Sequence, residues 1–156
     1  MVKIRQFHSA DLDSIVHIEA KVFSTPWSAQ SFLDCAQWKE FWIYVAEIPA
    51  GIAGYFVAQV IGDEAELHNI AVDPAIQKKG IGQTLLDYFL NRAQKAGVRN
   101  IFLMVRPSNQ AAIHLYQKSC FQLVDRRPRY YEDTKEDALV FHKRCQVCRS
   151  EPGISC

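Results

Sequence analysis

The spacing of hydrophobic residues divides the chain into short strands and amphipathic helices. Val2 to Phe7 alternates between apolar and polar side chains and predicts a first strand. Ser9 is the expected N-cap of a helix that follows, and Ser28 is the expected N-cap of a second short helix that ends near Gln37. The first quarter of the chain is therefore predicted to be one strand followed by two helices.

Three β-type runs come next. They cover Phe41 to Ile48, Ile52 to Ile61 and Ala65 to Val72. The connections between them contain three residues each, and connections this short join antiparallel neighbours. The middle of the chain is therefore predicted to be an antiparallel meander.

The second half contains two predicted helices and three further strand candidates. One helix should begin at Ile81 and end before Gly97, and the other should run from a cap at Ser108 or Asn109 to Lys118. The strand candidates are Arg99 to Arg106, Phe121 to Val124 and Ala138 to His142. The first of these is almost continuously apolar, which predicts burial on both faces and a parallel pairing with the strand before the Ile81 helix. The predicted fold class is α+β, with a mixed, mostly antiparallel sheet.

Composition and charge narrow the class of protein. The 156 residues are 49% hydrophobic, which fits one globular domain, and the formal net charge of +1 gives no electrostatic reason to expect a nucleic-acid partner. The first seven residues include the charged Lys3 and Arg5 where a signal peptide needs an apolar core, and no apolar run is long enough to span a bilayer. We expect a cytoplasmic protein with no membrane partner, and a monomer is favoured.

The five cysteines have no framework spacing, so we expect reduced thiols. Cys145 and Cys148 form a single C-x-x-C without a second pair, and no metal site is predicted. Residues 1–143 are expected to form the domain, and residues 144–156 are expected to form a flexible tail.

The segment Gln77-Lys78-Lys79-Gly80-Ile81-Gly82-Gln83 joins a predicted strand to a predicted helix. Two glycines allow close approach of the backbone, while the helix N-terminus and two lysines supply positive charge. This combination suits a phosphate or pyrophosphate, although the segment is not a Walker loop. The sequence therefore predicts a phosphorylated ligand.

The same segment, with Asn69 to Pro74 before it, resembles the (R/Q)-x-x-G-x-(G/A) acetyl-CoA motif of the GNAT N-acetyltransferase superfamily. Further motifs narrow the resemblance to the branch that acetylates protein N-termini. These are Pro26-Trp27-Ser28, Val105-Arg106-Pro107-Ser108-Asn109, Ala111 to Tyr116, Arg129-Tyr130-Tyr131 and Glu136-Asp137-Ala138. The resemblance extends from about Ile4 to Phe141. It implies a GNAT fold, in which two parallel strands splay apart to admit acetyl-CoA.

The resemblance also implies roles for individual residues. The pantetheine arm would contact the backbone of Ile70, Ala71 and Val72. The pyrophosphate would bind the loop residues Lys78, Lys79, Gly80, Ile81, Gly82 and Gln83. Asn109 would contact the cofactor, and Tyr116 would act as the acid near the thioester sulfur. Trp27, Tyr130 and Tyr131 would surround the entrance for the acceptor.

The general base is where this chain departs from the pattern. The bacterial members that this chain resembles carry a glutamate four positions before the Ser-Asn pair, and related eukaryotic N-terminal acetyltransferases often carry histidine there. This chain has Met104, whose thioether is a poor proton acceptor, so either another group serves or the amine loses its proton without a dedicated base. Alternation along the strand places Glu66 and His68 on the same face as Ile70, which makes both candidates for a catalytic role, with Glu66 preferred. A solvated or packed structural role is an equal alternative for each.

The implied activity is direct transfer of acetyl from acetyl-CoA to a protein N-terminal α-amine, that of the alanine of ribosomal protein S18, in a ternary complex. The α-amine has a pKa of about 7.7–8.0 and lysine one of about 10.4, so a missing base handicaps lysine acetylation more. Met104 therefore favours an α-amine acceptor. The alternatives are a lysine side chain, a polyamine or another small amine, and a non-catalytic acyl-CoA-binding module.

Four acidic residues could attract a basic substrate. They are Glu19, Asp133, Glu136 and Asp137. A solvated charged face is the favoured interpretation of these residues.

Overall fold

One sheet organises the computed structural model, which describes residues 1–76 and 79–145. The helices are α1 (Leu12–Val22), α2 (Ala29–Ala36), α3 (Ile81–Lys95) and α4 (Gln110–Lys118). The strands are β1 (Lys3–Gln6), β2 (Phe41–Ile48), β3 (Gly51–Ile61), β4 (Glu64–Val72), β5 (Asn100–Val105), β6 (Gln122–Arg127) and β7 (Ala138–Arg144). Their order is β1-β2-β3-β4-β5-β7-β6, and only β4 and β5 are parallel neighbours. The predicted α+β class and the single parallel pair are confirmed.

Two of the predicted helix caps are present. The Ser31 backbone N–H donates to Ser28 Oγ at 3.1 Å, and the Ala112 N–H donates to Asn109 Oδ1 at 3.2 Å. Each bond satisfies one of the N–H groups that the first turn of a helix leaves without a partner. These caps fix where α2 and α4 begin.

The predicted cap at Ser9 is wrong. Ser9–Asp11 forms a 3-10 turn, and α1 begins at Leu12. The His8 backbone N–H donates to Asp11 Oδ2 at 2.8 Å, and the Arg5 guanidinium binds the same carboxylate at 2.8 and 2.9 Å. Asp11 accepts these hydrogen bonds because its carboxylate can bind the His8 N–H and the Arg5 guanidinium at the same time.

The sheet separates two apolar layers. On one side, called the α3 face, α3 and α4 bury Leu85, Phe89 and Tyr116 against the strands. On the other side, called the α1 face, α1 and α2 bury Ile15 and Phe32. Burial of each such side chain contributes about 1.5–3 kcal/mol relative to exposure, so these two layers hold the helices on the sheet.

Strand β5 is buried on one face rather than on both, which corrects the sequence prediction. Ile101, Leu103 and Val105 are buried in the α3 layer, whereas Phe102 and Met104 are partly exposed on the opposite face. The layer formed by α1 and α2 packs on strands β2 to β4 and does not include β5. The α1 face of the sheet is therefore open at β5.

The cysteines differ from expectation at one position. Cys35 and Cys145 are free, but Cys120 is disulfide-bonded, a pairing that no framework spacing in the sequence indicates. Cys148 and most of the expected tail, residues 146–156, lie outside the described residues. Within the described ranges, no helix has the length and apolar character needed to cross a bilayer.

Candidate active site

The parallel strands β4 and β5 separate in the middle of the sheet. Their pairing runs from Glu64 with Asn100 to Leu67 with Leu103, yet β4 continues to Val72 and β5 also extends further. Beyond the last pair, the two strands are no longer neighbours in the ladder. The sheet therefore has the gap that the family resemblance implied.

The N-terminus of α3 supplies hydrogen-bond donors beside β4. Gly80 is the N-cap residue with a φ of 76°, a left-handed conformation that glycine adopts without strain. The first intrahelical bond runs from the Thr84 N–H to the Gly80 carbonyl, so the amides of Ile81, Gly82 and Gln83 precede it. Backbone amides at a helix N-terminus bind phosphate oxygens well.

Gly82 keeps the space between three elements open. A Cβ at this position would lie 3.7 Å from Val72 Cγ2 on β4 and 3.8 Å from Leu115 Cδ2 on α4. These are ordinary contact distances, so packing alone does not require glycine here. A larger side chain would extend into the space between β4 and α4.

The loop residues before α3 are described only in part. Lys79 is exposed, whereas Gln77 and Lys78 lie outside the described residues. The expected contact of Lys78 with pyrophosphate therefore stays a prediction.

Two predicted cofactor residues use their side chains within the protein. Gln83 Nε2 donates to Asp87 Oδ1 at 2.8 Å and to Ser119 Oγ at 3.1 Å, and Asn109 Oδ1 caps α4. The Gln83 side chain thus ties α3 to the end of α4. Its backbone amide is the part of Gln83 that can meet a phosphate.

Tyr116 lies on α4, with its side chain 6% exposed and its ring packed against Phe121 and Phe141. Burial raises the pKa of Tyr116, and the nearby Tyr131 phenol raises it further. Among the described residues, none hydrogen bonds to the Tyr116 hydroxyl. This hydroxyl is therefore protonated at neutral pH and available as a donor.

A β-bulge interrupts β4 beside the gap. The register with β3 pairs Val57 with Asn69 and then Ala58 with Leu67, which leaves His68 as the extra residue. An extra residue reverses the alternation of side chains along a strand. Odd-numbered residues before the bulge therefore lie on the same face of the sheet as even-numbered residues after it.

The bulge overturns the predicted grouping of Glu66 and His68 with Ile70. Ile70 packs in the α3 layer, whereas His68 contacts rings of the α1 layer and Glu66 is paired with Phe102 on β5. Cross-strand partners share a face, so Glu66 lies on the α1 face with Phe102 and Met104. Both candidate residues thus lie on the same face as the methionine that replaces the usual base.

Glu66 and His68 contact each other directly. His68 Nδ1 lies 3.0 Å from Glu66 Oε2, and His68 Nε2 lies 3.2 Å from Gln59 Oε1. The hydrogen bond from His68 lowers the pKa of Glu66, with smaller coulombic contributions from His68 and Arg127. Both ring nitrogens of His68 are engaged, whereas Glu66 is partly exposed and ionised at neutral pH. Glu66 is the better placed proton acceptor.

Aromatic rings border this pair on the α1 side. The Trp27 ring centroid lies 6.1 Å from that of His68 and 5.3 Å from that of Phe32, and Phe41 stacks on His68 at 5.8 Å. Trp27, one of the predicted substrate residues, is therefore a neighbour of the Glu66–His68 pair.

The loop between β6 and β7 carries the other two predicted substrate residues. Tyr130 is 45% exposed and packs edge-on against Tyr131 at 5.1 Å. The Arg106 guanidinium lies 3.9 Å from the Tyr131 ring centroid and binds Asp133 at 2.8 Å. Asp133 also accepts a hydrogen bond from Ser24 Oγ at 2.6 Å. The loop is thus tied both to the end of β5 and to the turn after α1.

The acidic residues of this loop do not form a free acidic surface. Glu136 accepts hydrogen bonds from the Ser108 N–H at 3.1 Å and from Ser108 Oγ at 3.0 Å. Asp137 binds Arg126 at 2.9 Å, and Arg106 lowers the pKa of Asp133 to about 2. These carboxylates hold the loop in place.

Glu19 contradicts its expected place on a solvated face, because it is only 1% exposed. Its carboxylate accepts hydrogen bonds from Tyr55, Asn69 and the Trp27 N–H. The sequence contains a signal that could have indicated burial: Glu19 follows Ile15 by four positions, so it shares the apolar face of α1.

Comparisons with known proteins agree with this geometry. The model of the Acetyltransferase (GNAT) family matches residues 12–120. The chain is 36% identical over 142 residues to the [ribosomal protein bS18]-alanine N-acetyltransferase of Escherichia coli K12, covering 90% of the chain and 95% of that protein. It is 33% identical over 138 residues to the putative [ribosomal protein bS18]-alanine N-acetyltransferase of Bacillus subtilis 168, covering 88% and 91%. The crystal structure of the Escherichia coli ribosomal-protein-S18-alanine N-acetyltransferase matches with a TM-score of 0.86 at 32% identity, covering 100% of both chains.

Proposed function

The chain belongs to the GNAT acetyltransferase family and is an acetyl-CoA-dependent N-acetyltransferase, and we propose that its acceptor is the N-terminal alanine of ribosomal protein S18. The observation that carries this proposal is the 36% identity to the bS18-alanine enzyme across 90% of this chain and 95% of that one. A ribosomal acceptor would place the enzyme in the cytoplasm.

The gap between β4 and β5 fits an acyl-CoA. Acetyl-CoA supplies an activated acetyl thioester when it is bound. The β4 backbone at Ile70 and Ala71 would bind the pantetheine arm, and the amides of Gly80 to Gln83 would bind the pyrophosphate. The open space beside Gly82 and the left-handed turn at Gly80 support this assignment.

In the proposed mechanism, Tyr116 donates a proton to the departing thiolate. Burial raises the pKa of the Tyr116 phenol, and the same dry site would raise the pKa of a departing thiolate above its ordinary value of about 8.5. Because a dry site disfavours a free thiolate, the sulfur is the expected acceptor of the phenol proton. The Tyr116 side chain is buried, and its hydroxyl makes no hydrogen bond to a described residue, which leaves its proton available for the sulfur.

Glu66 takes the proton of the amine, through a water molecule, as the amine attacks directly in the ternary complex. His68 acts on Glu66 as a positioning residue, because its Nδ1 holds one carboxylate oxygen at 3.0 Å. The other oxygen of Glu66 has no hydrogen bond from a described residue and can accept one from water. This arrangement supplies a base on the face where Met104 cannot.

The acceptor groove is the proposed surface between Trp27, Tyr130 and Tyr131. The turn that carries Trp27 and the loop that carries the two tyrosines are joined by the bond between Ser24 and Asp133. Aromatic side chains on such a surface can pack against an extended N-terminal segment.

The proposal is tested by incubating the purified protein with acetyl-CoA and S18, followed by fragmentation mass spectrometry of the product. Acetylation of the N-terminal alanine supports the proposed acceptor. Acetylation confined to lysine side chains would instead support the lysine alternative, for which a missing base at Met104 is a larger handicap.

A further inference from the structure

The carboxylate of Glu19 is buried without a cationic partner among the described residues. Its side chain is 1% exposed, and its hydrogen bonds come from three neutral donors. The Trp27 backbone N–H reaches Oε2 at 2.8 Å, Asn69 Nδ2 reaches Oε1 at 2.9 Å, and the Tyr55 hydroxyl also donates to Oε1. A carboxylate in such a place carries a desolvation cost that an apolar side chain would avoid.

The three donors belong to three different parts of the fold. Trp27 lies in the turn between α1 and α2, Tyr55 lies on β3, and Asn69 directly follows the bulge residue His68 on β4. A single carboxylate therefore joins the turn to the bulged strand. The Trp27 and His68 rings, 6.1 Å apart, lie on the two sides of this connection.

We infer that Glu19 is a positioning residue, whose carboxylate holds the Trp27 turn and the β4 bulge at the spacing that the acceptor amine requires. The inference deepens the proposed N-terminal acetylation and rests on it for the identity of the acceptor. Glu19 itself touches neither substrate, because its side chain is buried. It acts through Trp27 on the acceptor groove and through Asn69 on the neighbouring Glu66–His68 pair.

The cofactor site is held by contacts other than those of Glu19. The inference therefore predicts different effects on the acceptor and on acetyl-CoA. The α3 N-terminus and the separation of β4 from β5 involve no hydrogen bond to Glu19 among the described residues. Loss of the Glu19 contacts should therefore affect the acceptor much more than acetyl-CoA. A merely structural residue would affect both substrates alike.

The first variant is Glu19→Gln, which keeps the size of the side chain. Its amide nitrogen must face either Trp27 N–H or the Tyr55 and Asn69 donors, so one side of the connection loses its acceptor. We expect kcat/KM for a peptide beginning Ala-Arg to fall about tenfold or more, while the acetyl-CoA Kd from calorimetry stays within about twofold. An unchanged kcat/KM, or an equal loss for both substrates, would overturn the inference.

The double variant Glu19→Gln with Asn69→Asp exchanges donor and acceptor across the same contact. The side-chain amide introduced at position 19 can then donate through its nitrogen to the new carboxylate and to the Tyr55 oxygen, while its carbonyl oxygen accepts from Trp27 N–H. We expect kcat/KM to recover most of the loss. A double variant that refolds to wild-type stability but has no better kcat/KM than Glu19→Gln would contradict a positioning role.

Should Glu19→Gln fail to fold, Asn69→Ala tests the same link, since it leaves the carboxylate with two donors. Its kcat/KM for the acceptor should fall while acetyl-CoA affinity is kept, and an unchanged kcat/KM would overturn the inference.

The wild-type protein is assayed in parallel with an Nα-blocked lysine peptide. A preference of the wild type for lysine would refute the proposed acceptor, whereas the Glu19 result is read on whichever amine the wild type uses.

Discussion

His68 Nδ1 lies 3.0 Å from Glu66 Oε2 on the open α1 face of the sheet. The bulge at His68 brings this pair to the face that also carries Met104. The carboxylate is partly exposed and has a lowered pKa, so it is ionised at every pH at which the amine reacts. In the proposed mechanism, this pair provides the proton acceptor that Met104 cannot provide.

Glu66→Gln removes the proposed base while preserving size and polarity. A positioned base typically contributes about 10²–10⁴-fold, and a base acting through water should lie at the low end, so we expect kcat to fall about 100-fold. His68→Ala should lower kcat less, because the carboxylate remains. Steady-state kinetics with saturating acetyl-CoA measures both effects. Equal activity of Glu66→Gln and wild type would exclude Glu66 as the base.

Tyr116→Phe removes the proposed acid without removing packing. The ring keeps its contacts with Phe121 and Phe141, and no hydrogen bond to a described residue is lost. We expect kcat to fall about 100-fold or more with acetyl-CoA affinity nearly unchanged. Tyr88→Phe on α3 is the matched control, with wild-type kcat expected. A wild-type kcat in Tyr116→Phe would remove this residue from the mechanism.

The pH dependence follows from the direction of two pKa shifts. The pKa of Glu66 is lowered, so the base is ionised well below neutral pH, and that of Tyr116 is raised, so the acid keeps its proton in alkaline solution. The rate of N-terminal acetylation should therefore follow the amine, rising through its pKa of about 8 and levelling off about one pH unit above it. A kcat/KM profile from about pH 6 to 10 checks this. A decline above about pH 8 would contradict the raised pKa of the acid.

Gly82→Val should abolish acetyl-CoA binding. Its Cβ fits at ordinary contact distance, but the two methyl groups would enter the space between β4 and α4. Asn91→Val, at an exposed position of the same helix, controls for the lower helix propensity of valine. Isothermal calorimetry should show no binding in Gly82→Val and wild-type affinity in the control. Retained affinity in Gly82→Val would mean that the acyl-CoA arm follows a different path.

The fold could be predicted from the sequence because its signals are local. Three β-type runs with three-residue connections predicted the meander of β2 to β4, and a helical period followed by Gly97 predicted α3. The parallel pairing of β4 with β5 followed from the crossover through α3. The loop before α3 predicted a phosphate site for the same reason, since its chemistry lies in consecutive residues.

The parts that could not be predicted depend on tertiary structure. The bulge at His68 places Ile70 on the opposite face of the sheet from Glu66 and His68, so their predicted grouping was wrong. Met104 is partly exposed because α1 and α2 do not cover β5. Which strands these helices cover depends on tertiary packing and not on the sequence of β5. The position of Glu19 on the apolar face of α1 does not reveal its hydrogen-bond donors from β3 and β4, which lie 36 and 50 residues away in the sequence.

This GNAT enzyme acetylates a protein N-terminal α-amine, and its choice between amines can be measured in one reaction. The most direct test gives the enzyme acetyl-CoA with an equimolar mixture of a peptide beginning Ala-Arg and an Nα-blocked lysine peptide, and locates the acetyl group by mass spectrometry. We expect acetyl on the N-terminal alanine, with little on lysine under initial-rate conditions near neutral pH. Preferential acetylation of the lysine peptide would contradict it.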